Sequence, residues 1–215
     1  MSFYRLFLKI TASLLVGVVL LGALSSCAQS DGDADQTALE YSPEDIDGAI
    51  LLDAYTGLEI TLGGEDSSKS EAVWSYVLER AEVVSYPEAQ VEYYAEQTRA
   101  RYRYYAKQNG MDYGKVLDIV GITEEDILSD AKHMVKGDLV YRYIVKDAEI
   151  ALTDTEKSEL YDKYVDKYVS DFGYNRTYVT TYLTDHIYDS MLYDKTMEYL
   201  VLNNSFVVGG ETQNE

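Results

Sequence analysis

Thiol and imidazole chemistry rests on three side chains in this 215-residue sequence: Cys27, His133 and His186. No acidic residues flank either histidine at a spacing that makes a metal motif. Both read as ordinary surface or partly buried side chains. The 38 Asp and Glu residues make chance carboxylate pairs inevitable, so acid–base catalysis is not legible in their spacing. No Gly-x-Ser-x-Gly nucleophile elbow and no phosphate-cradling glycine loop occurs; Gly63-Gly64 reads as a turn. Asn175-Arg176-Thr177 matches a glycosylation sequon, but a helix cap is the better reading. The residues point to no cofactor and no metal.

Cys27 is the exception. Arg5 and Lys9 precede an uncharged run from Ile10 to Leu24, and the run closes on Leu24-Ser25-Ser26-Cys27. A basic start, an apolar middle and small residues before a cut describe a signal peptide over residues 1–26. Ending on a cysteine, the segment resembles a bacterial lipoprotein signal with Leu24-Ser25-Ser26-Cys27 as its lipobox. That resemblance implies that Cys27 becomes the lipidated first residue of the mature chain, anchored to the bacterial cell membrane on its extracytoplasmic side. Two other readings are an uncleaved anchor, for which the run is barely long enough because a bilayer takes about 20 apolar residues, and an ordinary secretory signal. All three place the rest of the chain outside the cytoplasm. With Cys27 committed to lipid, no disulfide, thiol nucleophile or zinc–thiolate site is available.

The formal net charge is −20, and removing Arg5 and Lys9 makes it more negative. Such a balance argues against nucleic acid and against a polybasic membrane-surface patch. The second anomaly is 22 tyrosines beside 4 Phe and 1 Trp. Tyrosine couples a large apolar ring to a hydroxyl that needs a partner, so a core built from it is amphipathic at its edges.

The elements that must position these rings follow from periodicity and punctuation. Residues 27–48 are polar, acidic and small, and read as a lipidated cysteine followed by a disordered spacer. Residues 49–70 read as a short β segment and linker: Leu58-Glu59-Ile60-Thr61-Leu62 alternates with period two, and Tyr55-Thr56-Gly57 looks like the turn from Ala49-Ile50-Leu51-Leu52. Residues 71–205 read as helical. A helix runs from Glu71 to Arg80. Pro87 suits the first turn of the next, which stops at Asn109-Gly110 and carries Val91, Tyr94, Thr98, Tyr102 and Tyr105 along one face. A short helix spans Tyr113 to Val120. Thr123 caps a long helix with acids in its first turn and with Ile127, Ala131, Met134, Tyr141, Val145 and Ala148 on one face. Thr153 and Glu156 form a capping box for a helix bearing Leu160, Tyr161, Tyr164, Val165 and Tyr168, and Gly173 ends it. Asn175 caps the last helix, where Val179, Leu183, Ile187 and Met191 recur every four residues up to Asn203-Asn204. Residues 206–215 read as a polar tail. The expected fold is mainly α, an elongated multi-helix domain with a short β segment before it.

Val83-Val84-Ser85-Tyr86-Pro87-Glu88-Ala89-Gln90-Val91 opens the long helix that ends at Asn109-Gly110-Met111. In order there follow Gly121-Ile122-Thr123-Glu124-Glu125-Asp126 and Leu152-Thr153-Asp154-Thr155-Glu156. This succession resembles the C-terminal domain of the bacterial chaperone trigger factor, related in fold to the peptide-binding domains of SurA-type periplasmic chaperones. Upstream, Tyr55-Thr56-Gly57-Leu58-Glu59-Ile60 is similar to the Tyr-Lys-Gly-Leu-Glu-Val segment that precedes the family's isomerase domain. The resemblance covers about residues 50–205. It departs at two points: signal and spacer stand where the ribosome-docking domain would be, and only a loop between Leu62 and Trp74 occupies the place of the prolyl isomerase domain. Ribosome binding and isomerisation are therefore not carried over, and no enzymatic activity is expected.

The resemblance implies a membrane-anchored extracytoplasmic chaperone, a holdase for unfolded or nascent secreted polypeptides that works without ATP. Candidate client-binding rings are Tyr93, Tyr94, Tyr102 and Tyr105 on one helix and Tyr161, Tyr164 and Tyr168 on another. The competing reading is that these rings pack the helices together. Two other functions stay open: a structural lipoprotein that binds one folded partner, and a foldase with residual prolyl isomerase activity.

Overall fold

The computed structural model describes Tyr41, Ile46 and residues 48–64 and 67–209; Cys27, the signal and most of the acidic spacer lie outside the described residues. The described chain is mainly helical, as expected, with seven helices and four short strands. In order they are β1 (Ile50–Leu51), β2 (Glu59–Leu62), α1 (Lys69–Arg80), β3 (Glu82–Val83), α2 (Glu88–Gln108), α3 (Tyr113–Val120), α4 (Glu124–Asp147), α5 (Asp154–Phe172), α6 (Arg176–Tyr182), α7 (Thr184–Leu202) and β4 (Ser205–Val208). None of these helices is long and apolar enough to cross a membrane.

The chain divides into two compact units. One takes residues up to Leu51 together with Glu82–Val140; the other takes Leu52–Ala81 and the chain from Tyr141 onward. The division falls within α4.

In the first unit β1 pairs antiparallel with β3, Ile50 opposite Val83. α2 begins after Pro87, which sits one position earlier than expected, at the cap. Its buried positions are Gln90, Val91, Ala95 and Ala106, so none of its tyrosines is fully buried, and Tyr105 is left out. α3 ends on Gly121, whose φ of 72° is the left-handed cap that glycine takes without strain. Thr123 and Asp126 cap each other at the start of α4: the Asp126 N–H donates to Thr123 Oγ1 at 3.1 Å, and the Thr123 N–H donates to Asp126 Oδ2 at 2.8 Å. The buried stripe of α4 differs from the expected one. Ile127, Ala131, Val135 and Leu139 step by four and are essentially buried, whereas Met134 and Tyr141 are only half-buried. A step of four advances about 40° around a helix of 3.6 residues per turn, so these four make a stripe about 120° wide that winds along the helix.

Tyr41 and Ile46, two described residues, fall within the expected spacer. Ile46 is buried, and the Tyr41 hydroxyl donates to Asp138 Oδ2 at 3.4 Å. The Tyr41 bond ties this acidic stretch to α4.

In the second unit β2 runs parallel to β4, with Ile60 opposite Phe206 and Leu62 opposite Val208. β4 overturns the expectation of a polar tail from residue 206. Asn203-Asn204 does stop α7, but it also builds the crossing: the Gly57 N–H donates to the Asn203 carbonyl at 2.8 Å, the Leu58 N–H to Asn204 Oδ1 at 2.8 Å, and Asn204 Nδ2 to the Tyr55 carbonyl at 3.0 Å. α1 covers β2 and packs on α7, and α5, α6 and α7 pack on one another. The Thr153–Glu156 capping box is present in full, and such caps contribute about 1 kcal/mol. Lys195 extends it: its ammonium donates to Glu156 Oε1 at 2.6 Å and to the Ala151 carbonyl at 2.9 Å. Gly173 closes α5 at φ 69°.

The expected single last helix is two. Val179, Leu183, Ile187 and Met191 are all buried at a step of four, but the backbone leaves helical geometry at Leu183 (φ −116°, ψ 16°). The residues around the break explain it. Thr180 Oγ1 returns to the Arg176 and Thr177 carbonyls, and Thr184 Oγ1 to the Thr180 carbonyl at 3.0 Å. Threonine has low helix propensity, and this back-bonding bends helices.

Candidate functional site

The two tyrosine stripes separate into rings that pack and rings that face outward. On α5, Tyr164 and Tyr168 are buried. The Tyr164 hydroxyl donates to Asp194 Oδ2 at 2.7 Å, and the Tyr168 hydroxyl lies 2.8 Å from Ser190 Oγ and 3.3 Å from the His186 carbonyl. Tyr161 is half-buried, its hydroxyl 3.1 Å from Thr184 Oγ1 and its ring 5.6 Å from that of Tyr188. All three bind α5 to α7, or to the residue that opens it. Each hydroxyl finds its partner on the packed neighbour, which favours the packing reading for these rings.

On α2, Tyr94 is also structural. Its hydroxyl donates to Asp138 of α4, the carboxylate that Tyr41 reaches, and burial, then the Asp138 charge, pushes its phenol pKa up. Tyr93 stacks edge-on against Tyr94 at 5.5 Å, and burial and then Asp138 raise its pKa. Tyr102 is half-buried and lies 6.4 Å from Tyr105. Tyr105 is the most exposed of the seven candidate rings, at 47%. Tyr104 joins it at 6.1 Å. Met111, Ile119 and Val120 add exposed apolar surface near the α2–α3 turn and along α3.

A charged lattice fixes that part of the unit. Arg99 donates to Glu92 at 2.7 Å and to Glu124 at 2.8 Å, and the Tyr113 hydroxyl donates to Glu124 at 2.6 Å. The Tyr113 and Arg99 bonds hold the Glu124 carboxyl below the usual carboxylate range. Arg103 pairs with Glu96 and stacks over Tyr113 at 5.7 Å.

Among the described residues the longest run of neighbouring rings lies in the second unit and escaped the sequence reading. Starting from buried Tyr168, rings follow one another through Phe172 at 5.6 Å, Tyr174 at 6.0 Å, Tyr178 at 5.7 Å and Tyr182 at 5.3 Å. These spacings fall within the range of favourable offset aromatic pairs. Tyr174, Tyr178 and Tyr182 step by four, and Val179 and Leu183, one position on, are the buried face of the same turns. The ladder therefore flanks the core stripe. It is open at its two ends and half-buried between them: Phe172 is 42% and Tyr182 71% exposed, whereas Tyr174 and Tyr178 are half-buried. Arg176 straps the helix beneath it to α5, donating to Asp162 at 2.5 Å and to Asp166. The spacing of residues 174, 178 and 182 was the available signal; it was hidden because the interleaved Val–Leu–Ile–Met stripe has the same step.

His133 is exposed and His186 half-buried. Among the described residues no group of three or more His, Cys, Asp or Glu is placed to hold a metal ion.

What this arrangement offers is wettable aromatic area on a braced helical scaffold. Comparison with protein-family models, with curated proteins and with solved structures finds no match to this chain.

Proposed function

We propose that this chain is a membrane-anchored extracytoplasmic holdase that binds unfolded segments of secreted polypeptides without ATP and without covalent chemistry. The aromatic ladder from Phe172 to Tyr182 carries this reading. It is a continuous strip of rings, exposed at Phe172 and Tyr182 and half-buried at Tyr174 and Tyr178, beside a helix strapped to its neighbour. Tyrosine suits reversible capture, because it supplies contact area at low entropic cost and stays wettable when empty. Burying about 100 Å² of client apolar surface is worth roughly 2.5 kcal/mol before ordering costs. Several rungs must act together, and four do so in sequence. The acidic balance of the chain keeps unoccupied copies apart. The resemblance to the trigger factor C-terminal domain supports the same function, with the rings reassigned: Phe172, Tyr174, Tyr178 and Tyr182 replace Tyr161, Tyr164 and Tyr168 as the client-facing set, and Tyr102 and Tyr105 remain in it.

The full chain in mild detergent should suppress light scattering by a guanidinium-denatured model enzyme at near-stoichiometric ratio. The double variant Phe172→Ser, Tyr182→Ser should need severalfold more chain for the same suppression, with stability within about 0.5 kcal/mol of the parent because both sites are exposed. Equal suppression by parent and variant would remove the ladder from the reading, and absence of suppression by a folded parent would remove the function.

The anchor belongs to the same proposal and has its own measurement. Cys27→Ala should shift the chain from the membrane to the soluble fraction and abolish labelling by a fatty-acid probe. Retention of label in the variant would refute lipidation at Cys27.

A further inference from the structure

β4 presents an open strand edge. The Ser205 N–H donates to the Leu58 carbonyl at 2.9 Å and the Gly209 N–H to the Leu62 carbonyl at 3.0 Å. Strand alternation then turns Val207 toward β2 as well, and turns the N–H and C=O groups of Phe206 and Val208 the other way. Among the described residues no second strand pairs with β4. Natural sheets defend such edges with charge, proline or a bulge, yet Ser205-Phe206-Val207-Val208 carries neither charge nor proline, and its register with β2 is unbroken.

The face is as unfinished as the edge. Ile60 and Leu62 are 2% and 4% exposed, whereas Val208, directly opposite Leu62, is 51% exposed. Phe206, opposite Ile60, is half-buried, with the Lys69 ammonium 5.5 Å from its ring. The apolar face that begins on β2 thus runs out into solvent across β4. A two-stranded ribbon is marginal unless a third strand or a packed helix supports it; α1 supports β2, while Val208 at the β4 margin stays exposed.

We propose that β4 captures an extended, uncharged polypeptide segment as a third strand, paired through the outward N–H and C=O groups of Phe206 and Val208. Alternate apolar side chains of the segment lie on the Ile60–Phe206 face. The inference rests on the holdase reading for the source of the segment and names the conformation in which it is held. The occupant is a client segment rather than a second copy of the chain. Four residues span only about 13 Å of strand, too short an edge to supply by itself the roughly 1,200 Å² of buried surface that a stable dimer needs. A short edge gives the weak, reversible grip that a holdase requires. Gly209 keeps the strand close to β2 at its far end: a Cβ there would meet Thr61 Cγ2 at 3.2 Å and the Leu62 carbonyl at 3.3 Å.

The probe is a fluorescein-labelled peptide of alternating valine and threonine, added to the full chain in detergent and followed by anisotropy. Val208→Pro removes one outward donor and leaves the bonds to β2 in place, because edge positions whose N–H faces solvent tolerate proline. The variant should bind the peptide about tenfold more weakly, the loss of one main-chain hydrogen bond. A peptide N-methylated at alternate residues should bind no better than background. In the unmodified chain, added peptide should protect the Phe206 and Val208 amides from hydrogen exchange, a readout that holds even if the proline variant folds poorly. Undiminished binding by a folded Val208→Pro chain, equal binding of the N-methylated peptide, or no added protection at those two amides would each overturn the proposal. Self-association through the edge that excludes the peptide would overturn it in favour of a second copy. Aggregation suppression that persists while the peptide fails to bind sinks the edge and spares the holdase; peptide binding without suppression does the reverse.

Discussion

Tyr168→Ala should destabilise the second unit by about 3–5 kcal/mol, the range for deleting a large buried aromatic side chain. The ring is 2% exposed, and its removal leaves a cavity that α5 and α7, tied at Tyr161 and Tyr164, close only in part. Ser190 also loses the phenol 2.8 Å away, though its hydroxyl still donates to the His186 carbonyl at 2.9 Å. Against a typical domain stability of about 5–15 kcal/mol, the loss is a large fraction of the whole. Trp74 is the only tryptophan of the chain and belongs to the same unit, edge-on to Tyr193 at 6.2 Å. Its fluorescence in a urea titration therefore reads this unit directly. Tyr168→Phe should recover most of the loss, since only the hydroxyl is removed. Tyr105→Ala, at an exposed site, should stay within about 0.5 kcal/mol of the parent. If Tyr168→Ala were as mild as Tyr105→Ala, Tyr168 would not be core and the division between packing and outward rings would fail.

The second large effect is unfolding in alkali. Burial, followed by a neighbouring carboxylate, pushes Tyr113 up to about 12 through Glu124 and Tyr193 up to about 12 through Asp194. Tyr55, Tyr94 and Tyr164 are raised in the same way, beside Asp147, Asp138 and Asp194. In the unfolded chain these phenols ionise near 10.0. The folded chain then binds more protons than the unfolded one from about that value until its own phenols ionise. The stabilisation is complete below pH 10 and drains away from there to about 12 and beyond. Several tyrosines act in the same window, so the loss should be steep. Phenolate absorbance followed alongside far-ultraviolet circular dichroism should show a late group of tyrosines that ionises together with loss of helix. Ionisation of all of them near their ordinary value, with helix retained, would contradict the hydrogen bonds described. In acid the sign reverses. Glu156 is held down to about 2, chiefly by Lys195 and then by the Thr153 N–H; its contribution is present above the ordinary carboxylate range and disappears as pH falls through about 2.

Local signals carried most of the helical architecture. The caps at Thr123 and Thr153, the glycine at 173 and the extent of Tyr113–Val120 were legible because each depends on residues within one or two turns. Pairing was not. β2 and β4 meet only after the chain returns, and Phe206-Val207-Val208, though β-branched and aromatic, looks like a frayed helix end until its partner is known. The break at Leu183 was obscured because its burial pattern runs through unbroken; only the threonines at 180 and 184 hint at it. The tyrosines were the hardest to place. Ring and hydroxyl satisfy core and surface alike, so Tyr168 and Tyr182 differ in no property that the residue itself reveals. Their partners decide, and Ser190 and the His186 carbonyl lie on a different helix from Tyr168.

The parallel register of β2 with β4 has a consequence for the order in which the molecule can be made. Leu58 and Asn204, which lead into the two strands, are 146 positions apart, and a parallel pair admits no local hairpin as a nucleus. A chain built from its N-terminus has β1, β3, α2 and α3 complete while β2 still lacks its neighbour. Such long-range closure raises contact order and slows folding, and the entropic cost of the loop grows only logarithmically with its length, so the delay is one of sequence rather than of stability. The second unit is thus the last to close, and its aromatic ladder is made before β4, the strand that pairs with β2. Of all its elements, that unit receives the latch at the very end.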